Sequence, residues 1–178
     1  MCNNDPSIQN KVLNQLDSKV VALDTMNLWI DIKKEELNHA VSKVNLLFLN
    51  DAEAQMYSQE NDLDKAAQIL LNKGPEYVII KRGEKGANLY GKNTKKEIPC
   101  YEISDFVDPT GAGDTFAGAS MGYLAKVGNY DYDTLVRAMY YGSAAASITV
   151  EGFGTESIMD ATSEDVEKRF RKLIGGPG

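Results

Sequence analysis

Residues Val44 to Leu49 read VNLLFL, a run that is apolar without a break from Leu46 to Leu49 and is closed by the polar pair Asn50-Asp51. Two other runs have the same form: KVVALD from Lys19 to Asp24, and YVIIK from Tyr77 to Lys81. Apolar runs of this length, without alternation, fit strands buried on both faces. Helix-forming segments separate them: Lys33 to Val41, a stretch capped by Asn50-Asp51, and Asp62 to Asn72, stopped by Gly74-Pro75. Strand and helix in alternation predict a parallel α/β sheet with helices on its faces. From Gly83 to Phe106 the pieces ANLY, KEIPCY and ISDF are shorter and more alternating, which predicts an antiparallel meander at the sheet's edge.

The flanks read as helices. Asp5-Pro6-Ser7 is a start signal, followed by Ile8, Val12, Leu13 and Leu16 at helical spacing. Beyond Gly111, helices are expected at about Asp114 to Lys126, Tyr132 to Val150 and Ser163 to Leu173. The last carries Val166, Phe170, Leu173 and Ile174 on one side, and the GGPG tail is expected to fray. The small residues of AMYYGSAAASITV, Ala138 to Val150, permit close helix packing and equally leave room for a flat purine.

The chain has 178 residues, 43% hydrophobic and 25% charged, with a formal net charge of −7. That length fits one domain, 1–178, with one good core. The acidic balance argues against a non-specific nucleic-acid binder, which needs cations to displace counterions. Two cysteines, Cys2 and Cys100, and the single His39 provide neither a disulfide scaffold nor a structural zinc site. Residues 1–10 lack the form of a signal peptide, and no apolar run approaches the roughly 18 residues of a membrane span. The expected compartment is the cytoplasm, with no membrane partner.

In open parallel sheets, ligands sit outside the carboxyl ends of the strands. Asp24 with Asn27, Asn50 with Glu53, and Lys81 with Arg82 all follow strand ends, which suggests one shared crevice. Each pair also has a plainer reading. Asp24 and Asn27 close a turn, Asn50 and Glu53 start a helix, and Lys81-Arg82 form an exposed basic pair. His39 reads as a surface residue and Cys100 as packing, while Trp29 fits a core as well as a contact surface.

The densest chemistry lies in Asp108-Pro109-Thr110-Gly111-Ala112-Gly113-Asp114-Thr115-Phe116. The glycines leave consecutive backbone N–H groups uncovered, and the following helix adds its own N-terminal amides and dipole. An anion cradle beside a carboxylate is what phosphoryl transfer to an alcohol needs. The plainer reading is a glycine turn ahead of a helix whose first turn holds Asp114. The pattern is neither a Walker A loop nor a dinucleotide fingerprint.

DPTGAGDTFAGA closely resembles the second signature of the PfkB, or ribokinase-like, carbohydrate kinases. The resemblance extends to Asn50-Asp51-Ala52-Glu53, to VIIKRGEKGANLY, to SAAASITVEGFGT and to Asp24-Thr25-Met26-Asn27, in the family's order over about Lys19 to Thr155. It implies a three-layer α/β/α fold and ATP-dependent phosphorylation of a sugar hydroxyl. It further implies Asp114 as the catalytic base, with the amides of Gly111, Ala112 and Gly113 as the anion hole. Asn50 and Glu53 would organise Mg2+ through water, and Asp108 and Thr110 would hold a monovalent cation (K+). Gly83, Gly86, Gly152 and Gly154 would shape the nucleotide pocket, with Lys81 and Thr110 beside the phosphates. Nothing in residues 1–23 resembles the family's N-terminal strands, lid and sugar contacts, so the chain resembles the C-terminal, nucleotide-binding and catalytic half. Pro109 stands where threonine is more usual and removes one backbone donor. A nucleoside kinase of the same fold and a catalytically silent ATP-binding fragment are the alternatives. A sheet edge left by missing strands invites pairing, which makes a homodimer an expected assembly.

Overall fold

The computed structural model describes residues 4–175; Cys2 and residues 176–178 of the tail lie outside them. Asp5 caps the first helix, α1 (Pro6–Leu13), by accepting the Ser7 amide at 2.9 Å. Proline at the first helical position loses nothing, because its missing N–H would have no partner there. The chain then alternates as β1 (Ala22–Asp24), α2 (Asn27–Ile32), α3 (Lys34–Val41), β2 (Leu46–Asn50), α4 (Asp51–Ser58), α5 (Leu63–Leu71) and β3 (Tyr77–Lys81). A 3-10 turn at Gly83–Lys85 leads into β4 (Ala87–Gly91) and β5 (Thr94–Ile98). Four helices follow: α6 (Ala112–Val127), α7 (Tyr132–Thr149), α8 (Glu156–Asp160) and α9 (Ser163–Gly175).

The sheet order is β1-β2-β3-β4-β5, with β1, β2 and β3 parallel. The two-residue link Lys92-Asn93 and the short link before β4 are far too short for a crossover, so β4 and β5 are antiparallel. The expected α/β sheet, mainly parallel with an antiparallel edge, is what forms. ISDF makes no strand: Pro99 ends β5 after Ile98, and Ser104 turns its hydroxyl onto Asp105 at 2.9 Å. Helix α2 begins at Asn27 and occupies a stretch for which no element was expected, and α6 begins at Ala112, earlier than expected.

The chain divides into two compact units, one running to Arg82 with Asn88–Lys96, the other from Glu97 with Gly83–Ala87. In the first unit, alternate strand residues Leu23, Leu47, Leu49, Val78 and Ile80 join Ile30, Leu37, Tyr57 and Leu70 in one core. Leu46, Phe48 and Ile79, on the opposite face of the strands, are also fully buried. That double burial is why the strands read as continuous apolar runs. Helix α1 departs from its apolar spacing: Ile8, Val12 and Leu16 are exposed, whereas Gln9 is buried.

The second unit packs α6, α7 and α9. Tyr123, Tyr141 and Phe170 meet with ring centroids 5.4–5.8 Å apart. A Cβ on Gly142 would meet Ser120 Oγ and lie 2.6 Å from the Phe116 carbonyl oxygen, so α7 crosses α6 at backbone contact there. On α9, Val166 and Phe170 are buried and Leu173 partly so, whereas Ile174 is exposed. No helix among the described residues is long and apolar enough to cross a membrane.

Candidate functional site

Three polar residues end the three parallel strands: Asp24 on β1, Asn50 on β2 and Lys81 on β3. Asn50 lies opposite Lys81 in register, and Phe48 opposite Asp24. Register partners in parallel strands project to the same side, so all four side chains share one face. Lys81 Nζ donates to Asp24 Oδ2 at 2.6 Å, with side-chain exposures of 17% and 7%. The sequence had paired Asp24 with Asn27 and Lys81 with Arg82. Asn27 instead faces solvent and accepts the Leu28 amide.

Asn50 and Glu53 form a capping box at the start of α4. Asn50 Oδ1 accepts the Glu53 amide at 2.7 Å, and Glu53 Oε2 accepts the Asn50 amide at 2.8 Å. Glu53 is 9% exposed. Burial pushes its carboxyl above the usual range, opposed by the Asn50 amide and the Lys81 charge and reinforced by Asp24. No group of three or more His, Cys, Asp or Glu side chains among the described residues is placed to hold a metal alone. One oxygen of Glu53 is spent on the cap. A single further carboxylate oxygen fits magnesium, which keeps most of its water and shares phosphate ligands.

In the second unit, Gly111 caps α6 in the left-handed region at φ 84°, where a side chain would be strained. Its neighbours are close as well: a Cβ would lie 3.3 Å from Thr155 Cγ2. The Ala112 amide donates to the Pro109 carbonyl at 3.1 Å. The amides of Gly113 and Asp114 fall in the first turn, whose N–H groups have no acceptor within the helix. Asp114 is exposed in that turn.

Asp108 ties this junction to the loop after α7. Its Oδ1 accepts the Thr110 amide at 3.0 Å and the Thr110 hydroxyl at 2.8 Å, and its Oδ2 accepts the Gly154 amide at 3.0 Å. The Gly154 amide, then Thr110, holds the Asp108 carboxyl below its ordinary value. The Val107 amide donates to Val150, and the Thr149 hydroxyl donates to Thr115 at 3.0 Å. Asp108, Thr110 and Gly111 are thus on a loop held to the one that carries Gly152 and Gly154, and Ala112, Gly113 and Asp114 open α6 directly after it. Gly152 sits tight against Ser157. Gly83 opens the 3-10 turn, and Gly86 ends it where any Cβ would meet the Ile98 carbonyl.

The Cys100 thiol is half-buried, pushed up by burial and by Glu84, as packing requires. An open cavity of about 520 Å³ lies in the second unit, lined by Tyr101, Glu151, Asp165, Lys168, Arg169 and Lys172 among others, and by none of the expected catalytic, nucleotide or metal residues.

The pfkB family carbohydrate kinase profile matches residues 9–162. The cytidine kinase of Thermococcus kodakarensis is 40% identical over 125 residues, 67% of this chain and 44% of that protein. The ribokinase of Staphylococcus aureus is 30% identical over 132 residues, 71% of this chain and 42% of that protein. The crystal structure of the nucleoside kinase of Methanocaldococcus jannaschii superposes with a TM-score of 0.76 at 27% identity, covering 96% of this chain and 54% of that one. The chain spans less than half the length of these curated relatives.

Proposed function

The chain belongs to the pfkB family of carbohydrate kinases, and from that premise we propose that it carries the nucleotide-binding and catalytic part of an ATP-dependent kinase. The acceptor is a hydroxyl of a sugar. The reading rests chiefly on the junction at Gly111 to Asp114, where first-turn amides and an exposed carboxylate stand together on a loop fixed by Asp108.

In this reading Asp114 accepts the proton of the attacking hydroxyl. The amides of Gly111 and Gly113 stabilise charge on the phosphoryl oxygens, with Ala112 held in place by its own bond to Pro109. Gly83, Gly86, Thr110, Gly152 and Gly154 border the nucleotide, where a side chain at the glycines would intrude. Glu53 and Asn50 orient the water shell of Mg2+, which when bound neutralises the phosphate charge. Asp108 Oδ1 takes two hydrogen bonds and Oδ2 one, which leaves Oδ2 a lone pair for a monovalent cation such as K+.

A nucleoside acceptor is the second reading, favoured by 40% identity to a cytidine kinase. ADP release from Mg-ATP, measured over a panel of sugars and nucleosides with Asp114→Asn as control, separates the readings. Sugar-dependent release lost in the variant supports the first, and nucleoside-dependent release the second. A folded chain that binds Mg-ATP and releases no ADP with any acceptor is a silent ATP-binding part, and both fail.

A further inference from the structure

We infer that Lys81 is a positioning residue, strapped by Asp24 across the C-terminal end of β2, and not a ligand of the nucleotide phosphates. Strand β2 lies between β1 and β3. Neighbouring strands are about 4.8 Å apart, so the Lys81–Asp24 pair bridges roughly 10 Å. It does so on the face that carries Phe48 and Asn50, which places the lysine stem over the end of the strand it crosses. Long lysine stems commonly cover apolar surface in this way.

Both charges are largely withdrawn from solvent, at 17% and 7% exposure, and they meet at 2.6 Å. A lysine serving an incoming phosphate needs its ammonium turned outward. Here the ammonium is matched by a carboxylate on the far side of β2. What lies at the crossed strand end is the Asn50–Glu53 cap, whose carboxylate senses both charges. The strap therefore fixes the ends of three strands, and with them the residues proposed to orient magnesium. Only that last step rests on the proposed function.

The test is a double-mutant cycle on the full 178-residue chain with Lys81→Met, Asp24→Asn and both together, plus Lys81→Arg. The urea midpoint reports the strap, and calorimetry reports Mg-ATP binding. Each single change should lower the midpoint, because it removes the opposite charge held at 2.6 Å from a largely buried one, and the double change should recover most of the loss. The double variant should bind ATP within about twofold of the parent at saturating magnesium. Its magnesium requirement should rise about tenfold, as when a supporting shell is loosened, and Lys81→Arg should keep the parent value.

Independent, additive midpoint shifts would overturn the strap. A coupled pair whose double variant loses about tenfold or more in ATP affinity at saturating magnesium makes Lys81 a phosphate ligand and overturns the inference. An unchanged magnesium requirement would reduce the strap to scaffolding and overturn the positioning role. If the parent chain itself binds no Mg-ATP, the proposed function fails, while the midpoint cycle still judges the strap.

Discussion

Asp108 Oδ2 accepts the Gly154 amide at 3.0 Å, joining the loop ahead of α6 to the loop after α7. These two loops carry most of the residues proposed to touch nucleotide and phosphoryl group. The bond links positions 46 residues apart, so its loss should be felt on both sides.

Asp108→Ala should therefore speed amide exchange at Gly154 and Thr110 together while leaving the α9 core unchanged. The pH dependence has a definite sign. The carboxyl is held below its ordinary value of 3.8 in the folded chain, so its contribution is present above that value. It is lost as pH falls through the lower folded pKa. Hydrogen exchange followed from pH 6 to well below 3.8 should show the Gly154 amide losing protection only below 3.8 in the parent, and at every pH in the variant.

Asp114→Asn should keep the fold and Mg-ATP binding, because the side chain is exposed and the helix start is built from backbone. Turnover in any catalytically competent form should fall by about 10² or more, the scale of a lost general base. Steady-state kinetics with the matched acceptor checks this. Near-normal turnover would remove Asp114 from the mechanism.

Gly142→Val tests the α6–α7 crossing. The added carbons would run into Ser120 Oγ and the Phe116 carbonyl, and a helix backbone cannot step aside as a side chain can. Overpacking of this kind costs about 1–3 kcal/mol or more. A urea titration should show the loss, and an unchanged midpoint would mean the helices sit farther apart.

The parallel sheet was legible because strands buried on both faces leave an unmistakable apolar record in VNLLFL and YVIIK. The α6 junction was legible because glycines, a helix start and a carboxylate coincide within nine residues. The Lys81–Asp24 pair was not: its members are 57 residues apart, and only strand order and register bring them together. Local polarity instead suggested Asp24 with Asn27, and Lys81 with Arg82. Helix α1 misled for a related reason. Its apolar spacing marks a face, but spacing does not say which face tertiary contacts will choose, and here Gln9 is inside while Ile8 is out. Asn50 and Glu53 satisfied the plain helix-start reading in full, and the magnesium role proposed for them adds to that reading without replacing it.

Glu53→Gln separates those two roles. An amide can still accept the Asn50 N–H through its oxygen, so the cap survives. Burial raises the Glu53 carboxyl pKa above 4.5, its ordinary value, which means the ionised form is less welcome folded than unfolded. That penalty is absent at low pH, grows as pH rises above the unfolded value, and is complete above the folded one. The variant should thus match the parent near pH 4 and equal or exceed it in urea midpoint at pH 7. Magnesium-dependent ATP binding should weaken by about tenfold at the same time. Stability gained together with magnesium dependence lost is the signature of a carboxylate kept for function. A variant that loses stability at pH 7 and binds Mg-ATP normally would mark Glu53 as a cap and nothing more.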